Sequence, residues 1–323
     1  MTDCRSAEML PVLAHLDRPT ASDRVTLAVI ADPHVSPCED GGTKVYHQSS
    51  DRLETALQDA DGRGVDAITL LGDLTKDGAE WEFDHVDTLL EPITTPIYAI
   101  PGNHDVSKEH DDHHVPTLER FVETYTPGQL PYRVDIGPIQ LLALNSASTP
   151  SGVLRDAAGR MVTREEREWL DDELEQSDNP VVLVHHNTPA IVKKLAASAP
   201  PDAPSAKTIR GDEWRFFLQD PDPVTEILAD HQVPLVLTGH LHFPDIGEYR
   251  GFREVTAPAT GSYPQSYLLV TITPETTTVR LVPVGDPTSN REAYRLRTDG
   301  DTLGPWFSML AASNLASLPL LID

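Results

Sequence analysis

The chain has 323 residues, 39% of them hydrophobic, enough to bury a substantial core in one large domain or two. Acidic residues outnumber basic ones 51 to 25, a formal charge of -26, and such a field repels nucleic acid and anionic membranes wherever no local positive patch overrides it. No stretch approaches the roughly 20 apolar residues that a spanning helix requires, and the segment Met1 to Thr20 mixes Asp, Arg, Glu and Pro instead of forming a signal peptide.

From the N-terminus, Thr26 to Ala31 is a short apolar run ending at a polar turn, which suits a buried parallel strand. A helix follows from Ser50, where Leu53, Ala56 and Leu57 recur at helical spacing. The rhythm repeats with a strand over Asp66 to Leu71, a helix over Glu80 to Leu90 and a strand over Pro96 to Ile100. Short apolar runs alternating with helices define an α/β sheet covered on both faces. Tyr132 to Ile136 and Ile139 to Leu144 flank Gly137-Pro138 as a hairpin, and Thr163 with Glu166 forms a capping box for the helix carrying Trp169 and Leu170. Later runs at Val181 to Val184, Leu235 to Thr238 and Tyr267 to Ile272 are too many for one small sheet, so a second is expected.

Between Pro189 and Pro223 lies an interruption with the Ala/Pro-rich stretch Ala196 to Ala206 and the aromatic group Trp214, Phe216 and Phe217. It reads either as an inserted cap or as a surface excursion. Residues 1–24 read as an N-terminal extension, 25–290 as the main body with its insertion at about 189–223, and 291–323 as a tail. That tail, with Trp306, Phe307, Met309 and Leu310, fits packing on the body or on a partner subunit of a homo-oligomer. Two cysteines, Cys4 and Cys38, are too few for a disulfide framework and suit a reducing cytoplasm. The 25 cations divide into 19 Arg and only 6 Lys; with the acidic excess, this points to a salt-loving source, since molar salt shrinks the Debye length to about 3 Å.

Five polar signatures end the apolar runs, where ligand sites of α/β sheets collect. They are Asp32-Pro33-His34, Gly72-Asp73, Gly102-Asn103-His104-Asp105, His185-His186 and Gly239-His240-Leu241-His242. Together they supply carboxylates, an amide and imidazoles, the donor set of Mn, Fe, Zn or Co, with no thiolate. In an extended segment residues i and i+2 point to one side, so Asp32 with His34, and His240 with His242, present paired ligands to one cavity. Gly72 and Gly102 permit the tight turns through which several loops converge.

This ordered set, D-x-H, G-D, G-N-H-[DE], a strand-end His and G-H-x-H, resembles the calcineurin-like metallophosphoesterase family over roughly Val25 to Val282, and most resembles its cyclic-nucleotide and glycerophosphodiester branch. The resemblance implies a four-layer α-β-β-α sandwich of two mixed sheets, with a dinuclear site at the strand ends. It gives one metal to Asp32, His34 and His242, the second to Asn103, His185 and His240, and places Asp73 between them. It leaves His186 as a neighbour that orients a ligand, and gives His104 contact with the phosphate and a proton for the leaving oxygen.

The expected cofactor is a pair of divalent or mixed-valence transition-metal ions; two divalent ions with two aspartates and a bridging hydroxide retain about one positive charge, which favours an anion. Ions about 3.5 to 4 Å apart hold the hydroxide for in-line attack on a small phosphate ester, so no protein nucleophile is required. A phosphodiesterase is the first reading. A phosphomonoesterase or nucleotidase uses the same centre, and a scaffold that has lost turnover is the reading from another class. Asp105 is expected to shape the turn or to support a ligand from behind rather than bind metal, and Asp77 and Gly78 to shape the loop after Asp73. His47 lies near the expected mouth, as either a substrate contact or surface. His110, His113 and His114 read as a solvated loop, and Lys193, Lys194 and Arg210 either as anchors for an anionic substrate or as surface charge.

Overall fold

The computed structural model describes residues 10–36, 42–108, 112–147, 161–199, 217–300 and 303–323. The first sheet contains β1 (Val12–Leu16), β2 (Val25–Ile30), β3 (Ala67–Leu71), β4 (Ile97–Ile100), β11 (Ser266–Ile272), β12 (Thr277–Pro283) and β13 (Leu321–Ile322), in the order β13-β1-β12-β11-β2-β3-β4. The second contains β5 (Tyr132–Ile136), β6 (Ile139–Ala143), β7 (Pro180–Leu183), β8 (Leu235–Thr238), β9 (Asp245–Tyr249) and β10 (Phe252–Thr256), in the order β5-β6-β7-β8-β10-β9. Both are mixed. β2, β3 and β4 run parallel in one, and β6, β7, β8 and β10 in the other.

Alternation along the strands explains why the sheets stack. In β2, Val25, Leu27 and Val29 join a core built from both sheets, while Ala28 and Ile30 turn to the helices outside. In β7, Val181 and Leu183 face that shared core and Val182 faces away. The outer face of the first sheet is covered by α1 (Tyr46–Arg63), α2 (Glu80–Leu90) and α3 (Leu118–Tyr125) through Leu53, Leu57, Phe83 and Phe121. The outer face of the second is covered by α4 (Arg164–Leu174) and α6 (Asp222–Asp230), between which in sequence lies α5 (Pro189–Ser198). The result is the expected four-layer α-β-β-α sandwich. The hairpin around Gly137 and the Thr163–Glu166 capping box form as read from the sequence. No helix of the described residues is long and apolar enough to cross a membrane.

Several segments differ from the sequence reading. α1 begins at Tyr46 rather than Ser50, because its first turn is held by polar contacts: Ser49 Oγ donates to Tyr46 O and accepts from Ser36 N. The run at 267–272 does not join the second sheet; it returns to the first, antiparallel to β2. Within residues 1–24, Val12–Leu16 pairs with β12 and β13. Within 291–323, α7 (Pro287–Gly300) and α8 (Gly304–Ala316) precede β13, and Leu315, Leu318, Leu320 and Leu321 pack on the shared core. At the start of the insertion, α5 buries Ile191 and Leu195 in a cluster with Phe243, Trp306 and Ala311. Cys4, Cys38, His110, Arg210, Trp214 and Phe216 lie outside the described residues, as does 200–206 of the Ala/Pro-rich stretch.

One buried network ties α5 to the second sheet. Glu254 of β10 accepts from Thr188 Oγ1 (2.6 Å), Asn187 Nδ2 (2.8 Å) and Thr238 Oγ1 (2.8 Å), and from Thr188 N at the start of α5. Burial pushes its carboxyl from 4.5 up to about 7, against the pull of these donors. A raised acid stabilises the fold fully below its unfolded value and loses that contribution as pH rises through the folded one. From pH 5 to 8, this group should therefore cost on the order of 3 kcal/mol of stability, at about 1.36 per unit. Denaturant unfolding should show that decline in the wild type and a flatter profile in Glu254→Gln; parallel profiles would contradict it.

Candidate metal centre

All five signatures sit at the carboxyl ends of parallel strands. Asp32 and His34 follow β2, Asp73 follows β3, Asn103 and His104 follow β4, His185 and His186 follow β7, and His240 and His242 follow β8. The loops are laced together by backbone bonds. Asp32 N donates to Gly72 O, His34 N to Asp73 O, Gly239 N to His185 O, and His240 N crosses between the sheets to Asp32 Oδ2 at 2.9 Å.

The paired ligands are not extended, as the sequence spacing suggested. Asp32 (φ 51°), His34 (47°), Asp73 (51°), His240 (69°) and His242 (59°) all occupy the left-handed region, five of nine non-glycine residues that do so among those described. Loops from two facing sheets must turn sharply inward to meet at one point, and an extended pair carries the chain straight past it. Such conformations cost of order 1 to 3 kcal/mol each and collect at functional sites. Glycine is required beside them: a Cβ on Gly102 would stand 2.2 Å from Asp73 Oδ1, and one on Gly72, at φ +80°, 2.6 Å from His185 Nδ1.

The side chains form two groups whose ligand atoms lie within 4.8 Å of one another: Asp32, His34, Asp73 and His242, and His185, His186 and His240. His34 Nε2 and His242 Nε2 face each other at 3.0 Å, with Asp73 Oδ2 3.6 Å from the first and Asp32 Oδ1 3.4 Å from the second. Asp73 reaches the second group as well, its Oδ1 lying 3.4 Å from His185 Nε2. The adjacent histidines differ in their bonding. His185 donates from Nδ1 to Leu71 O (2.6 Å), and its Nε2 makes no well-formed hydrogen bond. His186 donates from Nε2 to Asn103 Oδ1 (3.0 Å) and accepts from Ser146 Oγ at Nδ1 (2.9 Å). Asn103 is thus held beside the second group by His186.

Electrostatics follow from burying this many polar groups. Burial, then the charge of Asp73, pushes Asp32 well above the usual carboxylate range, against the pull of His185. Burial would raise Asp73 too, but the imidazoles of His185, His104 and His34 outweigh it and leave it well below. Burial would lower His185, yet the two carboxylates lift it to about 9. Burial, followed by Lys44, holds His34 and His242 well below their usual value, and burial brings His104 down to about 4. Nitrogen and carboxylate atoms that converge from these loops, with His185 Nε2 buried and without a well-formed hydrogen bond, fit divalent ions.

Around these groups, Asp105 accepts from Gly102 N, Leu74 N, Thr75 N and Thr75 Oγ1, tying the loop after β4 to the loop after β3. Burial and the charge of Asp73 push its carboxyl up to about 6. His47 is exposed and turns to Glu292 at 3.5 Å, away from the residues lining the site. His113 contacts Asp77 O and His114 faces Glu80, so they form no cluster. Lys194 pairs with Asp245, and Lys193 lies over the Tyr249 ring at 3.8 Å.

Arg297 escaped the sequence reading, because nothing marks one arginine among several on a C-terminal helix. From α7 it donates to the carbonyls of Leu241 (2.7 Å), His242 (2.8 Å) and Tyr263 (2.8 Å), fastening the loop that carries His240 and His242. Together with Thr43, Lys44, Asp73, Asn103, His104 and Phe307 it lines a cavity of about 370 Å³ over the two groups.

The chain belongs to the calcineurin-like phosphoesterase family, whose sequence profile matches residues 25–244. It is 28% identical over 166 residues to a "Probable cyclic nucleotide phosphodiesterase" of Colwellia psychrerythraea, covering 50% of this chain and 57% of that one. It is also 28% identical over 185 residues to a protein of the same description from a Synechococcus strain, covering 56% and 59%. The chain thus spans little more than half the length of these curated relatives. A dimetal phosphatase from Danio rerio shares the fold, with a TM-score of 0.61 at 15% identity over 81% of this chain and 97% of that one.

Removing the Arg297 clamp leaves one buried and two partly buried carbonyls without this donor. Arg297→Met should therefore cost about 2 to 4 kcal/mol of stability and weaken manganese binding measured by calorimetry. Manganese affinity equal to wild type in the folded variant would show that the clamp does not position the loop.

Proposed function

We propose that this protein hydrolyses a small phosphodiester at a two-metal centre, with cyclic nucleotides as the favoured class. The observation that carries the reading is Asp73, a buried carboxylate whose two oxygens face separate groups of potential ligands. Membership in a phosphoesterase family and the cyclic-nucleotide names of the curated relatives support it. In this reading Asp32, His34 and His242 hold one ion and Asn103, His185 and His240 the other, with Asp73 touching both. The nitrogen and oxygen donors suit Mn, Fe, Zn or Co. When bound, such a pair neutralises phosphoryl oxygens and lowers the pKa of water from about 15.7 toward 7.

The chain's own residues complete the chemistry. His104 donates from Nδ1 to the carbonyl of Lys76, which leaves Nε2 to meet substrate. Its low pKa keeps it neutral at pH 7 until phosphoryl charge arrives beside it and raises its proton affinity. Nε2 then takes up a proton from solvent, giving an imidazolium beside the phosphoryl charge, and passes that proton to the leaving oxygen. Asp105 and His186 hold the loop that carries Asn103 and His104.

Manganese-loaded protein should hydrolyse phosphodiesters in a panel that includes phosphomonoesters and cyclic nucleotides, and Asp73→Asn and Asn103→Ala should abolish turnover. A monoester-only profile would select the phosphatase reading, and a metal-loaded wild type silent on the whole panel would select a scaffold. His104→Ala should lose roughly 10² to 10⁴ in turnover at unchanged metal content. Alkoxide leaving groups should suffer more than nitrophenolate; equal losses would restrict His104 to positioning.

The charge of -26 further supports a small ester over nucleic acid as substrate, and a salt-rich cytoplasm as the setting. Thermal unfolding should move upward between 0.1 and 2 M KCl as self-repulsion is screened. An unmoved midpoint would contradict the saline setting.

A further inference from the structure

Lysine is scarce in this chain, and four of the five described lysines have evident structural roles. Lys76 pairs with Asp77 at 2.5 Å, and Lys194 pairs with Asp245. Lys108 donates to the carbonyls of Asp77, His104 and Val106, while Lys193 lies over Tyr249. Lys44 is different. It makes no ion pair among the described residues, and its ammonium has a long 3.4 Å hydrogen bond to Tyr46 Oη, with the Tyr46 ring centroid 5.7 Å away.

Its position gives that charge a purpose. Lys44 lines the cavity over the metal-binding groups together with His104, His240 and His242, and with Leu303 and Phe307 of the C-terminal region. The other cation on this wall, Arg297, is occupied by three backbone carbonyls. Backbone bonds fix the loop: Gly42 N donates to Lys44 O, and Val45 N to Gly261 O. A half-buried cation with no carboxylate partner among the described residues, in a protein with twice as many acids as bases, stands where an anion must enter.

We propose that Lys44 is a phosphoryl-binding residue, its ammonium donating to a non-bridging oxygen of the phosphate ester that reacts beside His104. This rests on the phosphoesterase reading above and adds the residue that draws the anion in. Charge accumulates on the equatorial oxygens during phosphoryl transfer, so a fixed ammonium there strengthens binding and assists turnover. It also offsets the repulsive field of the rest of the surface.

The test compares manganese-loaded wild type, Lys44→Met and Lys44→Arg, using bis(p-nitrophenyl) phosphate for turnover and inorganic phosphate for binding by calorimetry. Lys44→Met should lose about 10- to 100-fold in kcat/KM and weaken phosphate binding to a similar degree, as expected for a charged hydrogen bond. Manganese content should not change, and Lys44→Arg should recover most of both losses. The loss should persist in 1 M KCl, where the Debye length is about 3 Å; a loss that vanishes there would overturn direct contact. An active wild type matched by Lys44→Met in kinetics and phosphate affinity would overturn the proposal alone. A wild type that binds phosphate through Lys44 without turnover would sink the catalytic reading and leave the anion site standing. Neither binding nor turnover would sink both.

Discussion

A carboxylate with almost no exposed surface stays ionised among apolar strands only if positive charge surrounds it, and Asp73 imposes that requirement on the whole molecule. Its Oδ1 takes the backbone N–H of His104 at 2.8 Å and faces His185, while its Oδ2 faces His34. One side chain therefore binds together loops from three strands of two sheets. The stacking of the sheets, the close approach at Gly102 and the burial of the imidazoles all serve to bring those loops to this carboxylate.

The arrangement is held against its own preferences. Left-handed backbone at Asp32, His34, Asp73, His240 and His242 opposes folding, as does the desolvation of two carboxylates. The shared core between the sheets and the Glu254 network supply the rigidity that keeps the loops in place. Arg297 adds a restraint from the far end of the chain. Cations held by the converging donors would relieve the electrostatic part of the strain, which would couple metal binding to folding.

Much of this was legible in the residues. Strands β2, β7 and β8 announce themselves as short apolar runs, and the polar residues ending them are the ones that meet. Ordered signatures picked out the converging residues better than any local propensity, because loops that meet at one point leave their polar residues at strand ends. The left-handed conformations were not legible: aspartate and histidine are enriched at positive φ, but most of them still adopt ordinary backbone, so the residue type alone does not mark which ones turn. Nor was the role of Arg297, whose partners are backbone carbonyls that any sequence provides. The first turn of α1 was missed because hydroxyl bonds, not an apolar stripe, hold it.

Anomalous diffraction from manganese-soaked crystals, recorded at the metal's absorption edge, tests the central claim most directly. The account predicts two peaks about 3.5 to 4 Å apart, one contacting Asp32, His34 and His242, the other Asn103, His185 and His240, and both contacting Asp73. A single peak, or two that Asp73 does not join, would contradict it.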